Sequence, residues 1–129
     1  MTQGLILFAH GARDPAWATP FEAVAALVRA RQPSWQVRLA FLEFMNPTLA
    51  EAAVALVQAG CRGIVIRPMF LGTGGHVRRD LPLLLDDLRQ AHAGVAFTLQ
   101  EAIGEDAAVH AAMADRIAAL PAASAGGAA

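Results

Sequence analysis

Four short apolar runs alternate along the chain with longer segments in which apolar residues recur every three or four positions. The runs are Leu5–Ala9, Val37–Leu42, Gly63–Pro68 and Val95–Gln100. They are near-continuous rather than alternating, which is the pattern of parallel strands covered on both faces. Between them, Pro20–Arg31 carries Phe21, Val24, Leu27 and Val28 at helical spacing, and Pro47–Ala59 carries Leu49, Ala53, Leu56 and Val57. A third helix, from about Arg79 to His92, sets Leu81, Leu84, Leu85 and Leu88 on one stripe. A fourth, from about Asp106 to Leu120, does the same with Val109, Met113, Ile117 and Leu120.

Punctuation fits this reading. Gly60 and Gly94 follow the second and third helices, where C-terminal glycines belong. Asn46-Pro47 offers the second helix a capping residue with proline in the first turn, and Thr48 with Glu51 offers a capping box instead. The alternation predicts an α/β fold: a single-domain, four-stranded, mostly parallel sheet flanked by helices on both faces. The domain is expected to span residues 1–120. Residues 121–129, "PAASAGGAA", have no periodicity and are expected to be a disordered tail.

Composition narrows the function. The chain has 129 residues, of which 56% are hydrophobic and 16% charged, and this apolar balance points to a surface covered by a partner. A net charge of −1 argues against nucleic acid or an anionic membrane as partner. No apolar run reaches the ~18 residues of a membrane span, and no basic leader precedes the first strand, so a cytoplasmic location is expected. The single cysteine, Cys61, allows no intrachain disulfide and reads as a buried filler rather than a nucleophile.

The candidate chemistry stands where strands end. His10 follows the first strand, Glu43 the second, and His76 closes the segment "PMFLGTGGH" after the third. His10 and Glu43 are 33 positions apart, as are Glu43 and His76, so each step is one strand-helix unit and returns to the same sheet edge. That is the edge where open α/β sheets bind ligands. Two imidazoles and a carboxylate suit a first-row divalent metal. Imidazole, with a pKa of ~6.5, is also a ready proton acceptor. Glu43 stands between Phe41-Leu42 and Phe44-Met45, apolar company in which its charge is expected to need a partner. His92 and His110 lie within helices and read as ordinary surface residues.

Other motifs fail. "GTGG" has no Lys-Ser/Thr after it and lacks G-x-G-x-x-G spacing. Ala9 precedes His10, so the Arg-His-Gly opening of histidine phosphatases is missing, and no G-x-S-x-G elbow is present.

"LILFAHGARDP", "FLEFMNPTLAEA" and "RPMFLGTGGHVRRDLP", in that order, resemble the three signatures of the small sirohydrochlorin chelatases, the CbiX/SirB type of class II chelatase. The resemblance runs from residue 5 to about 120, and Ala12 departs from it where the family usually has serine. It implies ATP-independent insertion of Co2+ or Fe2+, in some relatives Ni2+, into the tetrapyrrole sirohydrochlorin, on the way to cobalamin or sirohaem. The metal is then a substrate, with no permanently bound cofactor. His10, Glu43 and His76 become the metal-handling and proton-accepting set, and the protein a homodimer with its cleft between subunits. The macrocycle carries eight carboxylates round a flat apolar ring. Arg13, Arg67, Arg78 and Arg79, read near the same rim, are the candidates to pair with them. Phe44, Met45, Phe70 and Leu71 are candidates to contact the ring. Two other classes stand beside this one: a non-catalytic metal-binding carrier or sensor using the same His/Glu/His set, and a structural half-domain that only dimerises.

Overall fold

The computed structural model describes residues 2–123. Four strands, β1 (Gln3–Ala9), β2 (Gln36–Phe41), β3 (Gly63–Pro68) and β4 (Ala96–Leu99), form one sheet in the order β2-β1-β3-β4. Every pairing is parallel. The helices are α1 (Thr19–Arg31), α2 (Leu49–Gln58), α3 (Gly75–Ala91) and α4 (Ala107–Ala118). Two 3-10 turns, Pro15–Ala18 and Ile103–Glu105, precede α1 and α4. No helix among the described residues is long and apolar enough to cross a membrane.

The strand order explains which helix lies on which face. From β1 the chain moves outward to β2, then crosses back over β1 to β3 and on to β4. Crossovers are right-handed, so reversing the direction of travel moves the helix to the opposite face. One face accordingly packs α1, through Ala25 and Val28, on Leu5, Leu7 and Val37. The other packs α2 and α3, through Leu56, Leu81, Leu85 and Leu88, on Ile6, Phe8, Ile64 and Ile66. The direction changes between β1 and β3, the switch point at which such sheets open a crevice at the strands' carboxyl ends.

Local sequence sets the helix starts. Thr48 and Glu51 form the capping box, with Thr48 Oγ1 accepting from Glu51 N at 3.2 Å and Glu51 Oε1 accepting from Thr48 N at 2.9 Å. Pro47 therefore lies outside α2 rather than in its first turn. Helix α3 begins at Gly75, four residues before the expected Arg79. The glycines looked like loop, and a start at Arg79 would have left Pro82 in the first turn, where proline is tolerated. Instead Pro82 lies inside the helix, and the Arg78 carbonyl loses its usual i+4 donor.

Helix α4 forms as its periodicity predicts, with Asp106 capping the Ala108 amide at 2.7 Å, but none of its residues is buried. Residues 121–123 carry no regular structure, and the remainder of the expected tail, 124–129, lies outside the described residues.

Candidate functional site at the carboxyl edge of the sheet

His10 is the first residue past β1, and its backbone holds the neighbouring segment in place. The Ala9 carbonyl accepts from Leu42 N at 2.9 Å and the His10 carbonyl from Glu43 N at 3.0 Å. The ladder between β1 and β2 thus continues two residues beyond β2 and carries Glu43 to the side of His10. Gly11 makes this possible. Its φ is +92°, and a Cβ built on it would overlap the Glu43 carbonyl oxygen. Only glycine serves at such a close left-handed approach.

The His10 ring lies on Phe70, with centroids 4.3 Å apart and planes tilted by 37°. Phe70 is 3% exposed and belongs to the core, so it is the floor under His10 rather than an open contact surface. Glu43 is exposed. Solvent therefore meets the need that its apolar sequence neighbours suggested a partner would fill. Phe44 has φ +67° and is 58% exposed, with the Arg13 guanidinium 4.8 Å from its ring centroid. An exposed aromatic in the left-handed region costs about 1–3 kcal/mol, and such strain concentrates at ligand sites. Met45 is half-buried and packs against the cluster of Ala9, Ala18 and Phe41.

His76 is in the first turn of α3, not in the loop after β3. Its side chain is 88% exposed, with Nε2 3.9 Å from Asp80 Oδ2 one turn on. Leu42, beside Glu43, joins His76, Asp80 and Leu84 around a small hollow of about 50 Å³, so the start of α3 reaches the end of β2. His10, Glu43 and His76 share one rim. Among the described residues, however, no three His, Cys, Asp or Glu side chains lie close enough to enclose an ion. The rim is open, with its polar groups directed to solvent.

The arginines divide. Arg78 pairs with Glu105 at 3.7 Å, and both are exposed, so the pair contributes little and exchanges readily. Arg79 Nε donates to the Gly75 carbonyl at 3.2 Å, beside His76. Arg67 was expected at this rim, but its strand position places it in the groove beside α1, and its guanidinium donates to the Glu101 carbonyl at 3.0 Å. A one-residue shift along a strand exchanges faces, and the apolar run alone did not reveal which face Arg67 takes.

The segment from Met69 to Gly75 is anchored by residues that sequence reading passed over. Gly104 donates its amide to the Phe70 carbonyl at 2.9 Å, and a Cβ at Gly104 would overlap the Leu71 backbone. Leu71 itself is 70% exposed. His110 is exposed on α4, as expected, and its Nε2 also bonds the Gly104 carbonyl. His92 caps the end of α3 with its ring 6.0 Å from that of Phe97. The bond from Gly104 to Phe70 joins segments 34 positions apart, and no local pattern announces it. Cys61 is buried against Gly4; burial pushes its thiol upward, with the Arg38 charge opposing, which leaves no reactive thiolate.

The family model CbiX matches residues 4–120. A sirohydrochlorin cobaltochelatase of Methanococcus maripaludis is 31% identical over 83 residues, which cover 64% of this chain and 58% of that protein. A sirohydrochlorin cobaltochelatase of Saccharolobus solfataricus is 33% identical over 109 residues, covering 80% of this chain and 84% of that one. The crystal structure of a CbiX protein from Marinobacter aquaeolei superposes with a TM-score of 0.80 at 28% identity, over 90% of this chain and 94% of that chain. With the signature residues on one sheet edge and a family match over nearly the whole domain, the chain belongs to the CbiX family.

Proposed function

We propose that the protein inserts a divalent metal, Co2+ or Fe2+, into sirohydrochlorin without ATP, in the synthesis of cobalamin or sirohaem. The observation that supports this reading is that His10, Glu43 and His76, from three separate signatures, all stand at the carboxyl edge of the sheet, with exposed Phe44 and Leu71 in the same segments. The names of the relatives in Methanococcus and Saccharolobus supply the substrate and favour cobalt as the metal. The net charge of −1 supports a reading with no nucleic-acid or membrane partner, in a cytoplasmic setting.

Insertion exchanges two pyrrole N–H protons for one M2+, so the ring loses two protons as the metal forms its bonds to the ring nitrogens. Weak bases that also hold metal suit this exchange. His10 and His76 act as metal ligands and proton acceptors, and Glu43 contributes the carboxylate, held beside His10 by the ladder extension. Imidazole and carboxylate bind loosely enough to pass the ion on. Phe44 and Leu71 present apolar surface to the ring, with Phe70 beneath His10 and Met45 behind Phe44 as support. Arg13, Arg78 and Arg79 pair with peripheral carboxylates. Each already has a partner that a carboxylate can replace: a ring face, an exposed glutamate or a carbonyl.

A single edge offers one wall to a flat macrocycle, and the second wall is a second copy of the chain, in a homodimer. The test is an anaerobic absorbance assay of sirohydrochlorin with each metal, with and without protein. A metal-dependent change in the ring spectrum, faster with protein, is expected; equal rates with and without protein overturn the activity and leave a carrier or sensor.

A further inference from the structure

Strand β2 lies at the edge of the sheet, so the carbonyls on its outer side have no strand to bond. The Val37 carbonyl draws in two side chains instead. Arg29 Nη2, from the last turn of α1, donates to it at 2.8 Å. Arg38 Nη1, from β2 itself, donates to it at 3.1 Å and to Gln36 Oε1 at 3.3 Å. The two guanidinium nitrogens therefore stand no further apart than these two bonds laid end to end. Among the described residues neither arginine pairs with a carboxylate. Like charges so close repel, and a single donor is enough to cover one edge carbonyl. Each guanidinium carries five N–H donors, most of which are not used by these bonds.

The pair opens onto a cleft of about 370 Å³ between α1 and β2. Ala25, Leu39 and Phe41 give it apolar walls, and alanine at position 25 leaves space that a longer side chain would fill. Glu22 lines the same cleft from the first turn of α1. It lies two turns before Arg29, ~10 Å along the helix, too far for the two to form an ion pair. The helix dipole accounts for an acid in the first turn and a base in the last. It does not account for a second guanidinium, from the strand, joining that base at one carbonyl. The cleft thus has a doubly cationic end, an apolar middle and an acidic end. We propose that it binds a small zwitterion: a carboxylate or phosphate at Arg29 and Arg38, a short apolar chain along Leu39 and Phe41, and an ammonium at Glu22. Paired guanidiniums suit an oxyanion because each presents parallel N–H donors. Met45 and Pro47 wall the cleft at its rim end, and the Pro47 carbonyl accepts from Phe41 N at 2.9 Å. Glu43 and Phe44 come just before them in the chain, so an occupied cleft braces the turn that carries both.

The test is an NMR titration of the folded, isotopically labelled protein with 6-aminohexanoate, following backbone amides and arginine Nε–H groups. Saturable shifts at Glu22, Arg29 and Arg38 are expected at millimolar probe, with smaller ones at Glu43 and Phe44. Hexanoate and hexylamine each lack one charged end and should bind roughly tenfold more weakly, the usual effect of losing a charge-assisted hydrogen bond. Adipate, anionic at both ends, should not saturate; adipate binding as tightly as 6-aminohexanoate would reduce the cleft to a plain anion site and overturn the zwitterion. Whichever of 6-aminohexanoate and 5-aminopentyl phosphate, which share one chain, binds tighter identifies the oxyanion. No saturable shift with either overturns the site. Arg29→Gln keeps a donor for the Val37 carbonyl, so circular dichroism should show folding retained while affinity falls roughly tenfold; an unchanged affinity overturns the cationic end. Glu22→Gln should make hexanoate and 6-aminohexanoate bind equally, and a preference that survives this substitution overturns the acidic end. All of these readouts are of binding, so they stand apart from any insertion assay.

Discussion

Gly11→Ala tests whether the backbone clip between His10 and Glu43 builds the site, and Gly60→Ala supplies its control. Both glycines have nearly the same conformation, with φ of +92° and +93°. A Cβ at Gly60 meets nothing within 4 Å, whereas at Gly11 it overlaps the Glu43 carbonyl oxygen. Gly60→Ala therefore carries only the left-handed penalty, about 1–2 kcal/mol. Gly11→Ala carries that penalty and must also push Glu43 away, straining or breaking the bond from Glu43 N to the His10 carbonyl. A lost backbone bond adds about 1 kcal/mol, and the local strain of relieving the overlap adds about 1–3 kcal/mol. At roughly 4 °C per kcal/mol for a domain of this size, Gly60→Ala should lower Tm by about 4–8 °C and Gly11→Ala by about 12–24 °C. Thermal melts followed by circular dichroism read the difference. Insertion rates measured well below both midpoints separate stability from function: Gly60→Ala should keep the rate, and Gly11→Ala should lose most of it. Equal Tm losses would show that the approach of Gly11 to Glu43 is not tight, and a full rate in Gly11→Ala would detach the clip from the chemistry.

His10→Ala and His76→Ala should each fold normally by circular dichroism and lose insertion by roughly 100-fold or more, the usual effect of removing a general base; near-normal rates in both would end their assignment. Arg13→Ala should raise the apparent KM for tetrapyrrole and leave that for metal unchanged, with a smaller effect at high salt because exposed charge pairs are screened; a change confined to the metal would contradict carboxylate binding. Thr48→Ala removes one arm of the α2 capping box, which should cost about 1 kcal/mol and about 4 °C in Tm with no effect on insertion rate; an unchanged melt would show that Glu51 alone caps the helix.

The sheet, its helices and the edge that carries the chemistry were legible in the sequence because they depend on local periodicity and on interval. Near-continuous apolar runs of strand length require cover on both faces, and equal spacing from His10 to Glu43 to His76 returns each residue to one edge. The capping box of Thr48 and Glu51 was legible for the same reason, since both partners lie within one turn. Tertiary structure decided what depends on face and on contact between distant segments. The face assigned to Arg67 follows from register, which shared apolar character on both faces conceals. Phe70 became a floor under His10, and Met45 part of a side cluster, because packing chooses which of several apolar rim residues are buried. Solvent at Glu43 was equally invisible, since neighbours in sequence are not neighbours in space. The requirement for glycine at Gly104 comes from its approach to the Leu71 backbone, which only the folded chain brings beside it. The same holds for α4: its periodicity promises a buried stripe, and in the fold none of its residues is buried among the described residues.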